Sequence, residues 1–269
     1  MSNQLKLMAI LGHPDDESLG TGGILAKYAS EGIQTYLVTA TRGERGWFGP
    51  AEENPGLEEV GRIREKELRA AAETLGLEEV NLLDYVDGDF DQAEADQVIG
   101  QLVGHIRRIQ PDVVVTFDQN GLYGHPDHIA ICQYASAAVV AAADPFYADI
   151  SEYDPHRVSK LYYMVWNDSV KAAFESAFGE LAMDVDGEKR LAVTWPDWAI
   201  TTRIDTSAYW EQVWDAISCH RSQLPGYQVL KTLPAEHHKS IWGSQLFHRA
   251  FSTVNGGPAK EDDLFAGLR

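Results

Sequence analysis

Two rhythms of apolar and polar positions alternate along the first 140 residues. Short apolar runs at Leu5–Leu11, Ile33–Thr39, Val80–Leu83 and Val113–Phe117 have the length of buried strands. Between and after them, Thr21–Glu31, Leu57–Leu75, Gln92–Ile109 and Ile129–Ala143 read as helices, the second ending at Gly76. This alternation predicts an α/β fold, a Rossmann-like, mostly parallel sheet flanked by helices. In such sheets the chemistry lies at the carboxyl ends of the strands.

Beyond Asp144-Pro145 the rhythm loosens. Val158–Val165 reads as a strand, Lys171–Leu181 as a helix, Leu191–Val193 as a short strand, and Tyr209–Ser222 as a helix. Trp210, Val213, Trp214 and Ile217 share one face of that last helix and read as core. The expected organisation is a Rossmann-like core over 1–145, a smaller mixed C-terminal lobe over 146–254 that completes the sheet, and a mobile or loosely docked tail over 255–269.

Composition narrows the function classes. A chain of 269 residues with 44% hydrophobic content can bury a substantial core. Lys plus Arg number 22 against 41 Asp plus Glu, and the net charge of -19 argues against non-specific nucleic-acid or anionic-membrane binding. Cys132 and Cys219 stand far apart without Cys-x-x-Cys spacing, so neither a disulfide framework nor a thiolate zinc site is expected, and both read as small buried residues. The apolar run Leu5–Leu11 is broken by Lys6 and too short for a signal or membrane segment, which makes the cytoplasm the default expectation. A homo-oligomer is left open.

Three loops fall at one edge of the predicted sheet. His13-Pro14-Asp15-Asp16-Glu17 follows the first strand, Thr41-Arg42-Gly43-Glu44 the second, and Asp118 to His128 the fourth. Either histidine-acid cluster alone is an ordinary turn or cap; two of them at strand ends point to one site. Catalytic zinc takes about three nitrogen or oxygen ligands and keeps a further position open. His13 and Asp16 supply two from one turn, and His128, near a helix start, can project back to supply the third. Ferrous iron suits the same donors. Asp15, beside a ligand, is placed to act as base for the attacking water.

His125 is then free to act on substrate. Paired with Asp127 it would be protonated, stabilise an oxyanion and protonate a departing amine, with Tyr123 as a second donor. Glu44 either lines the same mouth or supports its loop. Trp47-Phe48-Gly49-Pro50 is an apolar wall beside the substrate or a buried hinge. Gly20, Gly22 and Gly23 are expected to let the next helix pack closely on the metal loop, and without Gly-x-Gly-x-x-Gly they do not indicate a nucleotide.

Ala-Ile-Leu-Gly-His-Pro-Asp-Asp-Glu over 9–17, Gly20-Thr21-Gly22-Gly23, and Tyr123-Gly124-His125-Pro126-Asp127-His128 together resemble the LmbE-like (PIG-L) family of zinc-dependent N-acetylglucosaminyl deacetylases. The resemblance is close over the first half of the chain and loose beyond it. Members act on N-acetylglucosaminyl-inositol, on the corresponding malate conjugate, on chitin disaccharides and on a glycolipid anchor precursor. The resemblance implies a zinc hydrolase that removes an N-acetyl group from an N-acetylated amino-sugar small molecule, with Tyr123, His125 and Asp127 in the roles above. It further implies that Arg64 grips substrate and that Asp87 binds sugar hydroxyls. Gln245 departs from the pattern, because several relatives carry Glu there. His220-Arg221-Ser222-Gln223 resembles a late family motif and reads as packing between the lobes. The alternatives are an amidase of thiol-conjugate type and a non-catalytic carbohydrate-binding protein with a structural zinc.

Overall fold

A computed structural model describes residues 4–147, 153–254 and 260–269. Strand β1 (Lys6–Leu11) is buried from Leu7 onward, and a solid apolar run of that kind suits a strand covered on both faces. A short helix α1 (Asp16–Leu19) and α2 (Gly22–Ser30) lead to β2 (Gln34–Thr41), then α3 (Leu57–Leu75) to β3 (Glu79–Tyr85). Gly76, with φ 81°, caps α3 in the left-handed conformation that glycine adopts without penalty. Helix α4 (Ala95–Ile109), β4 (Val113–Phe117), one kinked turn α5 (Gly121–Gly124) and α6 (Pro126–Ala142) complete the alternation predicted from the sequence.

After β5 (Lys160–Met164) and α7 (Asp168–Phe178), a two-stranded hairpin forms from β6 (Ala182–Val185) and β7 (Glu188–Leu191). Asp186 and Gly187 both have positive φ between them, as a two-residue hairpin turn requires. This hairpin stands where only a short strand at Leu191–Val193 was expected. Strand β8 (Thr202–Asp205), α8 (Trp210–Cys219), α9 (Ala235–Trp242) and β9 (Ser244–Ser252) follow. Neither β8 nor β9 was foreseen.

The main sheet runs β3-β2-β1-β4-β5-β9-β8. Its first five strands are parallel, and β9 and β8 extend it antiparallel. The chain winds outward through β2 on one side of β1 and through β4 on the other, so the order reverses between β1 and β4. Ligand crevices of open α/β sheets lie at such a switch point. The loops bearing His13 and His128 leave these two strands.

Two expectations are corrected here. The described part of the tail, 260–269, is docked: Leu264 and Phe265 are fully buried, and Glu261 accepts from Lys160 Nζ at 2.8 Å and Tyr162 Oη at 2.7 Å. Residues 255–259 of that expectation lie outside the described residues. Of the glycines after α1, Gly20 and Gly22 do pack on the metal loop, where an added Cβ would stand 3.0 Å from Asp16 O and 3.4 Å from Glu17 O, whereas a Cβ on Gly23 would stand 2.7 Å from Thr206 Cβ. Of the two cysteines, Cys132 is buried as expected, whereas Cys219 is partly exposed.

Candidate active site

Donor atoms of three residues meet at the switch point. His13 Nδ1 lies 3.1 Å from His128 Nε2 and 3.6 Å from Asp16 Oδ2, and His128 Nε2 lies 3.4 Å from Asp16 Oδ1. Tetrahedral bonds of about 2.0–2.1 Å to nitrogen and oxygen place ligand atoms about 3.3 Å apart, and these three residues approach that spacing, with Asp16 facing His13 through Oδ2 and His128 through Oδ1. Asp16 is aligned by accepting the His13 backbone N–H at 2.7 Å. His128, in the first turn of α6, stacks on Phe117 at 3.9 Å between ring centroids. Its approach needs Gly12, where a Cβ would come within 3.0 Å of His128 Cδ2.

The other nitrogen of His13 faces two carboxylates, Asp127 Oδ2 at 3.0 Å and Asp87 Oδ1 at 3.2 Å. A ring that donates from Nε2 to carboxylates leaves Nδ1 bare for a cation, the arrangement that orients metal-bound histidines. Burial opposes charge on His13, but Asp127, Asp16 and Asp87 outweigh it and hold its pKa well above the ordinary value. Asp16 lies well below the usual carboxylate range, because the two histidines overcome its burial. The pocket therefore favours positive charge. Two further donor groups, His13/His125/His128 and His13/Asp87/Asp127, have ligand atoms within 4.8 Å of one another, and both share His13.

Asp15 sits beside this cluster with φ 110°. Its Oδ2 accepts from Arg64 Nη2 at 3.0 Å and from Tyr227 Oη at 2.8 Å, and its N–H donates to Glu17 Oε2 at 2.9 Å. Among the described residues Oδ1 takes no protein hydrogen bond. Desolvation, partly offset by Arg64, raises the Asp15 pKa. Glu17 in turn meets His220 Nε2 at 2.7 Å, with both side chains fully buried. Glu17 and Tyr227 were not singled out from the sequence. Glu17 lay within the first cluster, but nothing marked Tyr227.

Several sequence expectations change in the structure. Asp127 does not pair its carboxylate with His125; that carboxylate bonds His13 Nε2 and the Gly88 N–H, and only its backbone N–H reaches His125, donating to Nδ1 at 3.1 Å. His125 is accordingly not an imidazolium, since burial and the charges of His13 and His128 push its pKa down to about 3. With Nδ1 accepting, Nε2 carries the ring hydrogen. Arg64 is buried, with Nη1 donating to Gly43 O and Nη2 to Pro14 O and Asp15, so its guanidinium is engaged by protein groups. Asp87 faces His13, and its Oδ2 accepts the Arg45 N–H. Glu44 accepts the Asp87 N–H at 3.1 Å, which supports the loop.

Gln245 explains its own departure from Glu. Its Oε1 accepts from Ile24 N and its Nε2 donates to Gly20 O, both at 2.7 Å, and only an amide offers both. The segment from His220 is joined to the first third of the chain through Glu17, through Ser222 on Glu67 and through Gln223 on Gly46 O.

A cavity of about 770 Å³ opens over the donor cluster. Asp15, Tyr123, His125 and Asp87 line it with the three donors. Of the Trp47-Phe48-Gly49-Pro50 loop, Phe48 lines the cavity and is half exposed. Phe174 and Phe178 of α7, Leu181, and Met183 of β6 line it as well, and Phe48 and Phe178 both pack against Tyr227.

Comparison with known proteins gives this site its family. The model for PIG-L, described as GlcNAc-PI de-N-acetylase, matches residues 8–139. The mycothiol S-conjugate amidase of Streptomyces coelicolor is 32% identical over 297 residues, covering 100% of this chain and 99% of that protein. The chain belongs to the PIG-L family. A second relative in this size range, the 1D-myo-inositol 2-acetamido-2-deoxy-alpha-D-glucopyranoside deacetylase of Thermobifida fusca, is 34% identical over 251 residues, 82% of this chain and 84% of that one. The N,N'-diacetylchitobiose deacetylase of Pyrococcus horikoshii shares the fold, with a TM-score of 0.68 at 22% identity over 91% of this chain and 83% of that chain. The family match spans both histidine-acid clusters but ends before Tyr227 and His220.

Proposed function

We propose that this PIG-L family chain is a divalent-metal-dependent hydrolase that removes the N-acetyl group from an N-acetylglucosamine-containing small molecule. The observation that carries the reading is the three-donor set His13, Asp16 and His128, with the free oxygen of Asp15 beside it, on the floor of a cavity. These three residues would hold zinc, or ferrous iron, which suits the same donors. When bound, the cation supplies Lewis-acid polarisation of the amide carbonyl and acidifies water.

Asp15 takes the proton from the attacking water through Oδ1, while Arg64 and Tyr227 fix Oδ2. Tyr123 and the Nε2–H of neutral His125 donate to the developing oxyanion. Asp15 then returns its proton to the departing nitrogen as the carbon–nitrogen bond breaks, giving acetate and a free amine. His125 is thus a donor to the oxyanion, and the amine proton comes from Asp15. Asp87 and Asp127 orient His13, and Arg64 positions Asp15.

One observation favours a second reading, an amidase of thiol-conjugate type. The aromatic wall of Phe48, Phe174 and Phe178 suits an apolar substituent larger than a sugar presents, and the Streptomyces relative is named for S-conjugates. A carbohydrate-binding protein with a structural zinc fits less well, because structural sites close all four positions with protein ligands.

Amine release from N-acetylglucosaminyl-inositol, other N-acetylglucosamine derivatives and an S-conjugate amide, with and without chelator, tests the proposal. Chelator-sensitive release restored by zinc or iron is expected, and the preferred substrate separates the two hydrolase readings. Metal-loaded protein that binds these sugars yet cleaves no N-acyl compound would make it a binding module.

A further inference from the structure

Glu17 is fully buried beside the site, yet no step above uses its charge. One oxygen accepts the Asp15 N–H at 2.9 Å and the other meets His220 Nε2 at 2.7 Å. His220 is fully buried as well and follows α8, so the pair joins the first loop to the C-terminal half of the chain. Stability alone is a weak reason for such a pair, because an apolar pair of similar volume is often as stable or more so.

The backbone of Asp15 supplies a better reason. A φ of 110° is rare for a residue with a Cβ, and such conformations persist only where the surroundings over-determine them. Here the Asp15 carbonyl accepts from Ser18 N at 3.0 Å and Leu19 N at 2.8 Å, its Oδ2 is held by Arg64 and Tyr227, and its N–H is held by Glu17. Only Oδ1 is left for water. The N–H bond to Glu17 runs to a buried carboxylate whose other oxygen is held by His220 Nε2 and by Ser18 Oγ.

We propose that Glu17 and His220 are positioning residues that hold Asp15 in its left-handed conformation and aim its free carboxylate oxygen at the reacting water. This rests on the reading of Asp15 as base. Neither residue touches substrate, and their effect passes through the Asp15 backbone.

The test replaces the pair together, Glu17→Leu with His220→Leu, which leaves no buried charge unpaired, although the Asp15 N–H and Ser18 Oγ lose their acceptor. A misplacement of about 1 Å in a reacting group costs about 100-fold in rate, so kcat is expected to fall about 100-fold with KM and metal content unchanged in protein that remains folded. Glu17→Gln keeps an acceptor for the Asp15 N–H and is expected to stay within about tenfold of the wild-type kcat. A double variant within about threefold of wild type overturns the inference, as does Glu17→Gln impaired as severely as the double variant. Near-normal turnover by Asp15→Asn would instead sink the base assignment itself, and the two failures are read from different proteins.

Discussion

Replacing Asp15 by Asn separates base catalysis from metal binding. Asn tolerates left-handed backbone as well as Asp does, so the φ of 110° adds no new strain. The donor atoms placed to hold a cation belong to His13, Asp16 and His128, and none is altered. Arg64 keeps Pro14 O and Gly43 O as acceptors and is not orphaned in the variant. The bonds at Oδ2 are weakened, and because burial raises the Asp15 pKa, removing its charge offsets part of that loss, so the fold should be preserved. General-base catalysis is worth about 10²- to 10⁴-fold, or about 3–5 kcal/mol of activation free energy at 1.36 kcal/mol per decade. Continuous amine detection should show kcat reduced by that factor, and elemental analysis should find the wild-type metal content. Turnover within about threefold of wild type at full metal occupancy would refute the assignment, as would activity and metal lost in proportion.

Three other outcomes follow from the geometry. Asp87→Asn and Asp127→Asn each weaken the carboxylate grip on His13 Nε2, so metal affinity measured against a competing chelator should drop about 10- to 100-fold. In metal-depleted protein, the His13 bond and charge outweigh burial and pull the Asp87 pKa from 3.8 down to about 2. That contribution, about 2 kcal/mol, is present above pH 3.8 and lost as pH falls through about 2, so the melting difference between wild type and Asp87→Asn should shrink over that window; a constant difference would contradict it. Phe265→Ala opens a fully buried site under the docked tail and should cost about 3–5 kcal/mol in denaturant unfolding, whereas a loosely held tail would show almost none.

The β1–α–β2 rhythm and the two histidine-acid clusters are local, and the sequence displays them directly. A solid apolar run from Leu7 to Leu11 makes a buried strand wherever it sits in a sheet, and a loop after it opens at the carboxyl edge. His13, Asp16 and His128 were legible for that reason, as was the boundary of α3 at Gly76. The antiparallel strands β8 and β9 were not, because their pairing depends on β5 presenting an open edge. The Asp186-Gly187 turn was a local signal left unread.

The sequence alone determined which donors can gather and at which edge of the sheet, since the strands of an α/β alternation and the loops that follow them are set by short-range patterning. Tertiary structure alone decided what each remaining polar group does. Asp127 turned from His125 to His13, Arg64 was taken up by Asp15 and two carbonyls, and Gln245 clamped the chain after α1. The contacts that aim Asp15 come from Tyr227 and, through Glu17, from His220, over separations of 212 and 203 residues. A carboxylate or imidazole has several possible partners of similar strength, and only burial with fixed geometry selects among them.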